Sequence, residues 1–157
     1  MRSAEFVLQF MQFDLGASMH YTIRGITDEL LFIKWYRSPS ADTKPQEAYV
    51  DDLRARMDAS EVPLYFLSDL REGRIMDVTI IQRLGRLTHH ANYGAGAAFS
   101  KDVFASVFVG VFSRFAKQEK GEGVFFEKME DALAYLESFK PGLTRDINWG
   151  DVLADLP

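Results

Sequence analysis

The sequence predicts an α/β domain: a mixed, mostly parallel five-stranded sheet with helices packed on it, in the order ββαβαβαβα. Three observations carry that prediction. Short apolar runs, too brief for helices, alternate with longer stretches of helical period. Every run after the first pair is followed by such a stretch. Turn residues punctuate the joins. The first pair reads as a hairpin and the later helices as right-handed crossovers. With 157 residues, 47% hydrophobic and 13% aromatic, the chain has the size and apolar content of one globular unit.

His20-Tyr21-Thr22-Ile23-Arg24 alternates like a half-buried strand, and Thr27-Asp28-Glu29 turns the chain. Leu30 to Tyr36 is a nearly unbroken apolar run of the kind found in central strands. Loop residues follow at Ser38-Pro39-Ser40-Ala41-Asp42. Thr43 and Gln46 then stand at capping-box spacing, and Tyr49, Leu53 and Met57 mark one face of a helix from about Lys44 to about Ala59. Leu64 to Leu67 is the next strand. It ends on Ser68-Asp69, crosses a basic loop to Met76, and leads to a helix start capped by Asp77, with Ile80, Leu84, Leu87 and Ala91 on one face.

Tyr93-Gly94-Ala95-Gly96 stops that helix, its glycines reading as turn residues, and Ala97-Ala98-Phe99 is a weak fourth strand. A helix from Val103 to Ala116 is apolar most of the way round: Phe104, Phe108, Val111 and Phe115 form a stripe that Val107, Val109 and Phe112 widen. After a charged loop from Lys117 to Gly123, Val124-Phe125-Phe126 is the fifth strand. Met129, Leu133, Leu136 and Phe139 form the last helix, halted by Pro141-Gly142. The expected organisation is an apolar N-terminal arm over 1–18, a domain over 19–140 and a C-terminal tail over 141–157. In the arm, Phe6, Phe10 and Phe13 repeat at helical spacing while Phe6, Leu8 and Phe10 alternate like a strand, so its period is open. It lacks the small-residue cleavage pattern of a signal peptide. It is expected to pack on the domain or on a second subunit, and Met19 offers an alternative start.

Composition excludes several classes. A net charge of −5 and a pI near 5.2 disfavour a general nucleic-acid binder, which needs a basic face, and suit a cytoplasmic protein. No cysteine is present, which removes disulfides, thiolate catalysis, Cys-based zinc sites and iron-sulfur ligation. The Val103 helix, at about fourteen residues, falls short of the roughly twenty that span a bilayer, so no integral membrane protein is expected. His89 and His90 are adjacent on a helix and point about 100° apart, whereas shared chelation favours i and i+4. His20 is distant in sequence. No metal site is expected. Gly94-Ala95-Gly96 and Gly121-Glu122-Gly123 lack the dinucleotide fingerprint, so no cofactor is expected either. Asp69, at a strand end, could act as a base, but no catalytic constellation accompanies it.

Leu67-Ser68-Asp69-Leu70 leading to Met76-Asp77-Val78-Thr79-Ile80, the run Gly123 to Leu136 with its Glu130-Asp131-Ala132-Leu133 helix, and the order of elements from Met19 to Lys140 together resemble the STAS domains of anti-sigma factor antagonists, especially the SpoIIAA-like branch. The resemblance implies a non-enzymatic regulatory domain that binds protein partners. It also implies a phospho-acceptor serine directly after the helix-start Asp. Here that residue is Val78, which has no hydroxyl; Thr79 follows, turned about 100° away. The phospho-switch is therefore expected to be missing, while Ser68 and Thr79 are the hydroxyls closest to its place.

The expected partner or anion surface comprises Ser68, Asp69, Arg71, Arg74, Asp77 and Thr79, with the helix-start amides and the two arginines able to hold an anion. A second, apolar surface of Phe6, Phe10, Phe13, Phe104, Phe108 and Phe112 would serve a homodimer or an apolar ligand. The runner-up function is a binder of a small apolar or lipid-like ligand, because the resemblance extends to Sec14-type lipid carriers. An enzyme ranks last.

Overall fold

The computed structural model describes residues 20–36, 43–101, 105–117 and 124–154. Five strands, β1 (Tyr21–Gly25), β2 (Leu30–Trp35), β3 (Leu64–Asp69), β4 (Tyr93–Phe99) and β5 (Phe125–Phe126), form one sheet in the order β1-β2-β3-β4-β5. β1 and β2 pair antiparallel as a hairpin, and every later pairing is parallel. The helices are α1 (Lys44–Ala59), α2 (Val78–Leu87), α3 (Ala105–Phe115), α4 (Met129–Phe139) and α5 (Trp149–Ala154). The expected mixed, mostly parallel five-stranded α/β sheet is what the chain builds. The arm with Phe6, Phe10 and Phe13, together with Phe104 and the glycines at 121 and 123, lies outside the described residues.

The period-two geometry of the strands divides the core in two. On one face, Leu31, Ile33 and Trp35 of β2 and Leu64 and Phe66 of β3 pack under α1, α2 and α3 through Leu53, Met57, Ile81, Leu84 and Phe112. On the other, Leu30, Phe32, Leu67, Ala97 and Phe99 meet Ala132 and Leu136 of α4 and Val152 of α5. All three crossover helices thus lie on one face and the strand order never reverses. The crevice that doubly wound sheets open where strand order reverses is therefore missing from the end of β3.

Local sequence chemistry places the helices. Pro45 opens α1, and Gln46, expected to complete a capping box, is instead buried at 3% exposure on the same face as Tyr49 and Leu53. Asp77 caps α2 as expected, its Oδ1 accepting from the Ile80 amide at 3.0 Å. α2 and α3 approach closely because residue 85 is glycine: a Cβ there would sit 2.9 Å from both the Phe112 carbonyl and the Phe115 Cβ. Beside this contact the buried Thr88 hydroxyl donates to the Gly85 carbonyl at 2.7 Å and accepts from the Lys117 amide at 2.6 Å.

Two expectations are corrected. Gly94 and Gly96 are not turn glycines but interior residues of β4, which starts at Tyr93; α2 ends at Leu87 and the turn falls at 88–92. A register shift between Leu64 and Tyr65 puts Tyr93 and Ala98 on the α1–α3 face and Ala95, Ala97 and Phe99 on the other. The stretch from 141 is no loose tail as far as 154. Leu143 and Val152 are 6% and 7% exposed in the second core, and Trp149 of α5 packs its ring 6.3 Å from that of Phe32. Glu137 fastens the turn by accepting from the Gly142 and Thr144 amides at 2.6 and 2.9 Å.

Candidate functional site

The expected partner surface follows β3, and the strand's own alternation splits it. Ser68 faces the α1–α3 side, where it lines the same pocket as Tyr49. Asp69 faces the other way and is 1% exposed. Its carboxylate is taken up locally: Arg71 Nε donates to Oδ1 at 3.0 Å, Nη2 to Oδ2 at 2.8 Å, and the Arg71 amide to Oδ1 at 3.1 Å. The Arg71 guanidinium also lies 5.2 Å over the Phe99 ring. Hydrogen bonding to Asp69 holds Arg71 above its ordinary pKa. Asp69 therefore cannot meet a partner or abstract a proton, and the fork of Arg71 is already committed. Asp77 places its own carboxylate on the first turn of α2, where an external anion was expected.

Exposed around this edge are Thr79, the flank of Arg71, and two residues not included in the expected surface, Met76 at 44% and Val78 at 50% exposure. Arg74 is half-buried. The signal for Val78 was present: it falls off the Ile80, Leu84, Leu87 face of α2, whereas Met76 precedes the helix.

A second feature lies under the α1–α3 face, a cavity of about 90 Å³ between the sheet and the helices. It exists because β4 brings almost no side chain there. Ser68, Ala98 and Phe125 share one row of the sheet and Phe66 and Gly96 the next, so β4 contributes only a hydrogen and a methyl. Ring side chains of Tyr49, Phe66, Tyr93, Phe108, Phe112 and Phe125 close it. Phe108 stacks on Phe112 at 5.5 Å and meets Phe125 edge-on at 5.2 Å. Phe108 and Phe112 accordingly turn into the core, Phe112 at 7% exposure. Burial pushes the Tyr49 and Tyr93 phenols well above their ordinary pKa, so both stay neutral donors.

The histidines are structural. His90 Nδ1 accepts from the Asn92 amide at 3.0 Å, which leaves Nε2 to donate to Asp58 at 2.7 Å, while His89 Nε2 meets the Phe115 carbonyl at 3.0 Å. Among the described residues no three of His, Asp and Glu gather with metal-binding geometry, and no helix is long and apolar enough to cross a membrane.

No protein-family model matches the sequence, and no curated protein does. Solved structures match. An uncharacterised protein from the DUF3478 family with a SpoIIAA-like fold, from Shewanella loihica PV-4, superposes with a TM-score of 0.51 at 22% identity, covering 76% of this chain and 97% of that one. An anti-sigma factor antagonist from Mycobacterium paratuberculosis gives a TM-score of 0.47 at 12% identity, over 74% of this chain and 94% of that one. The first of these places the fold: it is SpoIIAA-like.

Proposed function

We propose that this protein is a non-enzymatic regulatory domain of the cytoplasm that binds a protein partner through the edge formed by Arg71, Arg74, Met76, Val78 and Thr79. The observation that carries the reading is the exposure of Met76 and Val78, 44% and 50%, at the start of α2. Water-facing apolar side chains placed together beside arginines are the composition of an interaction surface. Val78 stands where the resemblance puts the phospho-acceptor, so partner choice here rests on an apolar contact and not on a phosphate. The lipid-like alternative meets a cavity of about 90 Å³, far below the roughly 300–1,000 Å³ of ordinary ligand pockets.

The test is capture of partners from the source organism with the wild-type chain and with the Met76→Asp/Val78→Asp double variant, both checked for an unchanged melting temperature. Loss of a specific, identified partner in the double variant supports the reading. Undiminished capture of that partner overturns it.

A further inference from the structure

We infer that the cavity beneath α3 is a binding site for a small neutral ring compound bearing one hydroxyl. The pocket is partly open and, at about 90 Å³, larger than the water-sized gaps of a close-packed core. The space follows from Gly96 and Ala98, which fill little of it beside the Tyr93 ring of the same strand. Its walls are aromatic and aliphatic, and none of the lining residues is charged, which selects against ions. Ser68 and Tyr49 line the wall, and each hydroxyl can donate to or accept from the hydroxyl of a guest. The Tyr93 hydroxyl closes the same wall over Gly96.

An engineered void of ~150 Å³ accepts benzene. The present cavity is smaller, so a ring enters only as its wall gives way. Phe108 and Phe125 are the partly buried members of that wall and pack edge to face on each other, which makes them the side that yields. The site's occupancy is read at Ala98, Phe112 and Phe125, none of which belongs to the partner edge at Met76 and Val78.

The experiment is a titration of the ¹⁵N-labelled protein with phenol, with benzene as the isostere lacking the hydroxyl and 1-naphthol as a ring too large for the void. Phenol is expected to shift the amide signals of Ala98, Phe112 and Phe125 saturably. Ala98→Leu, which fills the void, is expected to weaken phenol by tenfold or more while keeping or raising the melting temperature. Ser68→Ala is expected to weaken phenol about threefold to tenfold and leave benzene unchanged. Should Ala98→Leu fail to fold, Ala98→Val carries the same comparison with a smaller loss. The inference is overturned by the absence of saturable shifts with phenol, by phenol binding that survives the filling variant within twofold, or by 1-naphthol binding as tightly as phenol.

Discussion

Ser68 and Asp69 are neighbours in the chain and point to opposite sides of the sheet: Ser68 lines a pocket with Tyr49 beneath the crossover helices, and Asp69 is gripped by Arg71 at 2.8 and 3.0 Å on the other face. One peptide unit thus separates a cavity wall from a buried ion pair, and both sit at the end of the strand that feeds the exposed edge at Met76 and Val78. The edge is held by the ion pair rather than built from it.

The two partners of that pair are predicted to be unequal. Arg71→Ala strands the Asp69 carboxylate at 1% exposure, the situation that costs about 3–5 kcal/mol for buried pairs. Asp69→Asn leaves the Arg71 side chain, 49% exposed, free to reach water, and its amide oxygen still accepts from the Arg71 backbone, so a loss of about 1–2 kcal/mol is expected. Urea denaturation of both variants measures the difference. Equal losses, or a larger loss for Asp69→Asn, would show that the pair is not what orders the loop.

Gly85→Ala sets two effects of opposite sign against each other. Alanine gains about 1 kcal/mol of helix propensity over glycine. Its Cβ, however, meets the Phe112 carbonyl and the Phe115 Cβ at 2.9 Å, backbone and near-backbone atoms that cannot rotate aside, and overpacking of this kind costs about 1–3 kcal/mol. A net destabilisation is expected in thermal melts, with α3 displaced from α2. A variant more stable than the wild type would refute this close packing.

The element order and the sheet were legible because long apolar stretches of helical period sit between short runs in this chain, a signal that survives without tertiary information. β4 was half missed: Tyr93-Gly94-Ala95-Gly96 carries turn residues, and only pairing with β3 makes a strand of them. α5 was missed because its six residues hold one buried anchor, Val152, and no repeating stripe. The site suffered from a different blindness. Adjacent residues such as Ser68 and Asp69 look like one surface in sequence, whereas a strand sends them to opposite faces, and Met76 and Val78 became visible only as exposed residues off the buried stripe.

A pH-dependent contribution is expected from Glu137. Hydrogen bonds from the Thr144 amide, the Thr144 hydroxyl and the Gly142 amide hold its pKa below the ordinary carboxylate value. A depressed folded pKa means that the stabilising contribution is complete above the unfolded value and fades as pH falls through the folded one. The melting temperatures of wild type and Glu137→Gln should therefore differ at neutral pH and converge in acid. A gap that stays constant from pH 7 to pH 3 would mean that the charge on Glu137 does not hold the turn at 141–146.

The last prediction concerns Gly96, where a Cβ would fall 2.5 Å from the Tyr93 hydroxyl. That hydroxyl ends a side chain whose ring is stacked on Phe66 at 5.7 Å and is 8% exposed, so it cannot simply swing away. Gly96→Ala is expected to cost about 1–3 kcal/mol as overpacking. Tyr93→Phe removes the clashing oxygen, and the double variant Gly96→Ala/Tyr93→Phe should recover part of that loss, a favourable coupling of at least about 0.5 kcal/mol in a double-mutant cycle. Additive effects would mean that the two residues do not compete for the same space. A favourable coupling would fix the reason for glycine here: it makes room for a phenol in a strand that otherwise leaves the core half empty.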